Sequence, residues 1–244
     1  MTKEQREKLD AMRDELGDLL DADEGIGDKL PPKNQVFCMR FSEVGQLLRA
    51  GKGRLFQPGD EIWNQSPLFA EPLRWIVIGR DVDGENTLTV WCPQGMGELP
   101  FDEQREGYPY GHALWRDCSL RAWMNGQLLE SFGPEAEYIR PVKKVTIAPD
   151  ADGGQAIETE DRFWPLSACE IGFAPDRDWS VEEGGAYPLF TYKESRKVCD
   201  DWLTLRSCYR GFAHYRWLVY ASAGSAHGSY ATYAYRPAPA CVIG

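Results

Sequence analysis

Residues 207–235, SCYRGFAHYRWLVYASAGSAHGSYATYAY, contain no Lys, Glu, Gln or Met, although all four are spread along the rest of the chain. Six of the 11 Tyr and two of the 3 His fall in this stretch, separated by Gly, Ser and Ala. No helical periodicity runs through it. From Trp202 onward β-prone residues alternate with small ones, which predicts two or three antiparallel strands ending in PAPACVIG. Tyr with Ser, Gly and Ala is also the composition of a paratope, because Tyr brings a large rigid contact area at low entropic cost and small neighbours leave it room. The bland alternative is a sheet whose rings pack a core, but that alternative must also explain the missing charged residues.

The remaining composition narrows the class. A chain of 244 residues that is 43% hydrophobic with 9 Trp can bury a large core and has no need of disulfides. The net charge of −11 argues against nucleic acid, whose binding requires clustered Lys and Arg to displace counterions. The charge is unevenly placed. Residues 206–244 carry Arg206, Arg210, Arg216 and Arg236 and no acid, so this end is formally +4 against −15 for residues 1–205. That polarity suggests a tail facing an acidic or neutral partner, although four Arg on a strand pair also serve plain solubility. No run reaches the roughly 18 apolar residues of a membrane span, so no membrane insertion is expected. MTKEQREKLDAMRDELGDLL lacks the apolar core of a signal peptide, which predicts synthesis in the cytoplasm without one. Seven cysteines without a C-x-x-C pair read as buried small hydrophobes in a reducing compartment.

Along the chain, Leu9, Met12, Leu16 and Leu19 predict an amphipathic helix over 3–20, which either packs on its own domain or zips with sister chains. Residues 21–36 read as a linker, giving a first segment 1–36 and a main domain 37–244. Ser42 is positioned to cap a short helix that Gly51 ends. RWIVIGR (74–80) and TLTVWC (87–92), joined across Asp83 and Gly84, predict a β-hairpin. Asp117 or Ser119 could cap a helix bearing Leu120, Trp123 and Met124 on one face, weakened by Gly126. Residues 142–149 read as a strand, FWPLSACEIGF as a strand with a short helix, and 172–186 as a surface loop. The fold class is α+β, antiparallel strands with a few helices.

Two segments carry a family resemblance. WRDCSLRAWMNG (115–126), and WLTLRS (202–207) followed by YRPAPACVIG (235–244), resemble the motifs of a domain of unknown function common in gut bacteria and their phages. The resemblance covers roughly residues 55–244; Thr204 departs from it, standing where the family often has an aromatic residue. Many relatives are variable proteins of diversity-generating retroelements, in which adenines of a template are randomised and rewritten into the 3′ end of the target gene. The resemblance therefore implies a C-type-lectin-like fold with a variable region at about 206–244. Randomising both adenines of AAC or AAT never yields Lys, Glu, Gln, Met or Trp, which is the gap described above. Trp217 is the exception and goes, with Gly211, Val219 and Gly224, to invariant scaffold. The candidate variable, ligand-contacting positions are Tyr209, Phe212, Ala213, His214, Tyr215, Arg216, Tyr220, Ser222, Ser225, His227, Ser229, Tyr230, Thr232, Tyr233 and Tyr235.

Catalytic chemistry needs convergent acids, bases or nucleophiles, and few are visible. His112, in GYPYGHALW, reads as a surface or hydrogen-bonded loop residue. Formylglycine-generating oxidases share the lectin-like fold and use a cysteine pair, but Cys208 and Cys241 sit in no recognisable motif. The acidic clusters at 21–24 and 181–183 lack calcium-loop spacing and read as solvated surface. The expectation is a non-enzymatic binding protein without cofactor or metal: a phage or prophage receptor-binding or tail adhesin protein, associated with the virion, taking a host-surface protein or glycan ligand. By analogy with tail-tip proteins it would form a homo-trimer or attach to a larger particle through its N-terminal helix. The alternatives are a structural virion or surface component with an aromatic β core, and an oxidase of the formylglycine-generating type.

Overall fold

A computed structural model of the chain describes residues 34–244 apart from 95, 177, 178 and 192. The helix predicted over 3–20, and most of the predicted linker, lie outside the described residues. Strand β1 (Val36–Cys38) pairs in parallel with β2 (Glu61–Asn64), and helix α1 (Phe41–Arg49) lies between them in sequence. The predicted cap of α1 is corrected. Ser42 Oγ donates to Glu135 at 3.0 Å, and it is Glu43 that reaches back to accept the Arg40 N–H at 2.8 Å. Gly51 ends the helix as expected, at φ +73, with its N–H on the Leu48 carbonyl.

The predicted hairpin is formed by β3 (Leu73–Arg80) and β4 (Leu88–Trp91), antiparallel, with a register shift between Val77 and Gly79. Next come β5 (Leu99–Pro100), β6 (Ile139–Arg140), β7 (Val142–Ile147), β8 (Ala156–Asp161) and β9 (Trp164–Pro165). The tail supplies β10 (Trp202–Cys208), β11 (Tyr215–Tyr220), β12 (Ser225–Tyr230), β13 (Ala234–Tyr235) and β14 (Pro239–Ile243). The principal sheet runs β1-β2-β3-β4-β14-β6, with β9 also on β14. Every residue of β14, PACVI, is buried, because a strand flanked on both edges and covered on both faces must be apolar throughout. The last strand of the chain is thus a central one. The tail also builds a separate antiparallel sheet, β10-β11-β12, while β13 pairs with β5 and β7 with β8.

Helix α2 (Ser119–Trp123) passes into a π-helical turn (Met124–Leu128) around Gly126 and a short α3 (Leu129–Ser131). Neither predicted cap is used. The Cys118 sulfur accepts the Arg121 N–H at 3.4 Å, which makes Cys118 the N-cap. Of the three residues predicted to share a face, Leu120 and Met124 are buried and Trp123 is only partly so. The core around them is aromatic: Trp75 lies 5.3 Å from Phe41 and 5.9 Å from Phe163, and Phe132 stacks on Phe41 at 5.4 Å. Residues Gln35–Gly244 form one compact unit of mixed α and β structure, mostly strand. Among the described residues no helix is long and apolar enough to cross a membrane.

Candidate functional site

The tail sheet is fixed from beneath by charge. Leu205, Arg206 and Ser207 of β10 are all buried. The Arg206 guanidinium forms an ion pair with Glu170 and donates to the carbonyls of Glu183, Pro165 and Val145. Lys144 joins the same network, its Nζ 2.9 Å from Asp83, 3.2 Å from Glu170 and 2.9 Å from the Tyr187 hydroxyl, which itself donates to Asp83 at 2.8 Å. Burial pushes the Glu170 carboxyl up, but the charges of Arg206 and Lys144 outweigh it and hold the group below the usual carboxylate range. Glu183 is the opposite case and corrects the reading of 181–183 as solvated surface, since its carboxylate is buried and accepts from the Ile147 N–H and the Ser207 hydroxyl. Burial dominates there and lifts its carboxyl to about 7, against the pull of Arg206 and the Ser207 hydroxyl.

The upstream motif is a second clamp. Trp115 Nε1 donates to Asp161 Oδ2 at 2.9 Å, and Arg121 Nε to Asp161 Oδ1 at 2.6 Å. Asn125, in the π-helical turn, accepts the N–H groups of Arg162 (2.8 Å) and Phe163 (3.1 Å) and donates to the Phe163 carbonyl at 2.9 Å. These residues hold backbone and buried carboxylate, and none of them lies on the tail surface.

Above the clamps the tail displays rings. None of its six Tyr is buried: Tyr233 is 54% exposed and Tyr209, Tyr215, Tyr220, Tyr230 and Tyr235 are partly so. One group lies where Tyr215 and Tyr230 face each other across β11 and β12, 4.4 Å apart, with His214 stacked on Tyr230 at 5.5 Å and Tyr233 at 5.4 Å. Phe212, 54% exposed, stacks on Tyr209 at 5.6 Å. A second group gathers around Trp202, with Tyr220 stacked at 4.4 Å, His227 edge-on at 4.7 Å and Tyr235 at 6.4 Å. The four residues assigned to scaffold differ among themselves, Gly211 being exposed and Trp217 partly so. Val219 is buried, Gly224 takes φ +63 in the turn between β11 and β12, and Trp217 sets its ring edge-on to Trp179 at 4.8 Å.

Two expected contact residues are corrected. Arg216 is fully buried, its guanidinium over the rings of Phe101 (5.6 Å) and Tyr235 (5.1 Å), with Nη2 donating to the Tyr233 carbonyl. Burial pulls its pKa down to about 9. Ser229, directly across the sheet from Arg216, is buried too and shares a hydrogen bond with the Tyr235 hydroxyl. Ser222, Thr232, Ala213 and Ser225 are partly exposed and His227 is exposed. The four tail arginines do not make a positive face: Arg206 and Arg216 are inside, Arg210 pairs with Asp150 at 3.3 Å and Arg236 with Asp201.

The sequence did not single out Tyr108 and Tyr110, which belong to the same surface. Asp102 builds their loop by accepting the N–H groups of His112 (2.8 Å) and Ser119 (3.0 Å) and pairing with Arg105 at 3.2 Å. Gly111 takes φ +70, and a Cβ there would meet the Asp102 carbonyl at 2.8 Å and Ala231 at 3.1 Å, so only Gly allows the loop to lie this close to the tail. Main-chain bonds complete the join: Ala113 N–H to the Ala213 carbonyl, Ala231 N–H to the His214 carbonyl, and Phe101 and Asp102 N–H to the Ala231 carbonyl. Tyr110, 52% exposed, thereby lies 5.0 Å from Tyr230 and 5.7 Å from His214. A cleft of about 240 Å³ opens between residues 107–111 and Ala213–His214. The only hint in the sequence was a pair of Tyr between Gly and Pro in a loop.

Residues 77–243 match the family described as Domain of unknown function (DUF6273). The chain belongs to that family. The matched span begins within β3 and ends within β14, so the DUF6273 domain takes in both clamps and the whole tail sheet. No curated protein and no solved structure matches the chain.

His112 is buried and shares a hydrogen bond with Asp152 at 3.0 Å, in line with its reading as a hydrogen-bonded loop residue. Cys208 and Cys241 are buried thiols on different sheets, β10 and β14. Cys208 donates to the Ile147 carbonyl, and burial raises the Cys241 thiol well above its ordinary value, the reverse of what a reactive cysteine needs. Among the described residues no three His, Cys, Asp or Glu gather as a metal site.

Proposed function

We propose that the chain is a ligand-recognition protein with a C-type-lectin-like domain whose C-terminal region, about 206–244, is diversified by a diversity-generating retroelement. In this reading it serves a phage or prophage as a receptor-binding or tail adhesin protein carried on the virion. The observation that carries the reading is the outward display of the tail rings on a framework held by main-chain bonds and buried charge. A surface built this way accepts many side chains at the displayed positions without unfolding, which is what a diversified binding site requires. The lack of Lys, Glu, Gln and Met over residues 207–235 supports the same mechanism from the side of the gene. Against a purely structural role stands the exposure of the Tyr rings, which an aromatic β core would have enclosed.

Two measurements test the proposal. Sequencing the 3′ end of the gene across a population is expected to show substitutions concentrated at the displayed positions, with a template repeat and a reverse transcriptase nearby; a uniform tail with neither refutes diversification. The double variant Tyr230→Ala, Tyr233→Ala is expected to weaken adsorption to host cells at least about tenfold, since true aromatic anchors contribute roughly 1–2 kcal/mol or more each. Full adsorption by that variant refutes the assigned surface.

A further inference from the structure

The cleft beside Tyr110 differs from the rest of the ligand surface in that one of its walls lies outside the tail. We propose that Tyr108 and Tyr110 form a constant wall, and Ala213 and His214, with Tyr230 stacked behind the imidazole, a variable wall, of a site for one neutral pyranose ring, free or at the end of a glycan. The proposal rests on the recognition reading above and names the chemistry of its ligand.

Three observations carry it. The first is placement: Gly111 against Ala231, Ala113 against Ala213 and Phe101 and Asp102 against Ala231 are joined through main chain or methyl groups. Replacing the side chains at 214 or 230 therefore leaves the backbone that carries Tyr110 where it is. The second is charge. The residues that line the cleft, 107–111 and Ala213–His214, include no Lys, Arg, Asp or Glu, so a charged ligand gains no counter-ion from its walls and the ligand that fits is neutral. The third is shape: a cleft of about 240 Å³ walled by the half-exposed rings of Tyr108 and Tyr110 holds one ring-sized group. The C–H face of a pyranose lies flat on such rings, while its hydroxyls reach the Tyr hydroxyls, the imidazole of His214 and water.

The test uses the full chain and the methyl pyranosides of glucose, galactose, mannose and N-acetylglucosamine as probes, read by saturation-transfer NMR. At least one is expected to bind at roughly millimolar strength, as one ring on an open site does, with transfer strongest to the C–H protons of one sugar face. Tyr110→Ala is expected to abolish the transfer and Tyr110→Phe to keep it, since the ring carries the contact. Val82→Ala, at an exposed position of the β3–β4 connection, should leave it unchanged, and circular dichroism verifies that each variant is folded. If no pyranoside shows transfer, the sugar assignment is overturned. If transfer persists in Tyr110→Ala but is lost in Tyr230→Ala, the constant wall is overturned while the tail keeps its role. If Tyr230→Ala, Tyr233→Ala retains full transfer and host-cell adsorption, the recognition reading itself fails. Adsorption lost after glycosidase treatment of host cells supports a glycan source, and adsorption that survives it in full overturns the glycan source and leaves the free sugar.

Discussion

Arg206 and Arg216 lie on neighbouring strands of one sheet and both are fully buried, yet their surroundings are opposite. Arg206 meets Glu170 and three carbonyls, and every link leads to residues below the sheet. Arg216 meets two ring faces and one carbonyl, and its Nε and Nη1 have no hydrogen-bond partner among the described residues. The difference separates anchor from display. β10 is tied to the body by directional, mutually dependent polar contacts, whereas β11 and β12 rest on main-chain pairing and ring packing that tolerate exchange.

Breaking the anchor should have the largest effect. Arg206→Ala leaves the buried Glu170 with Lys144 and the Ser167 N–H as its remaining partners among the described residues, and a loss of about 3–5 kcal/mol in unfolding free energy is expected by chemical denaturation. A loss under about 1 kcal/mol would mean that the network is not what fixes the sheet.

The next effect is a pH dependence set by Glu183. Its folded pKa, raised from 4.5 to about 7, means that the folded state holds this proton more tightly than the unfolded chain. Its contribution is therefore fully present below pH 4.5 and lost as pH rises through about 7. A decline on the order of 3 kcal/mol across that window is expected in wild type, and a flat profile in Glu183→Gln. Glu170, held low, acts with the opposite sign and weakens the fold only on the acid side of its ordinary range.

On the display side the effects should be small, which sharpens the comparison. Arg216→Met is expected to be neutral or to stabilise by about 1 kcal/mol, because a buried, poorly paired cation is replaced by an apolar group that fits between Phe101 and Tyr235. Marked destabilisation would show that the guanidinium holds the sheet after all. Smallest of all, Tyr230→Ala, Tyr233→Ala should change unfolding free energy by no more than about 1 kcal/mol while weakening binding, the signature of side chains outside the core.

The hairpin β3–β4 was legible because β-rich runs and an Asp-Gly turn are local signals. The face of α2 was legible through Leu120 and Met124, but its cap was not, since a cysteine thiol occupied the place expected of Asp117 or Ser119. The outward Tyr could be inferred from composition. Arg216 and Ser229 could not be told from their neighbours, because alternation gives two faces and does not say which one is covered. Tyr108 and Tyr110 were missed for a related reason: they meet the tail only through contacts between segments far apart in the chain.

By itself the sequence determined the strand character of the tail, its bias toward Tyr and small residues, and the motif residues later found in the clamps. Those are properties of neighbouring residues, set by backbone preference and side-chain chemistry. Only the tertiary structure decided that β14 closes the principal sheet from its centre, that Arg206 and Arg216 turn inward, and that Tyr110 stands beside Tyr230. Burial and partnership depend on what the fold brings against each residue, and no local pattern encodes that.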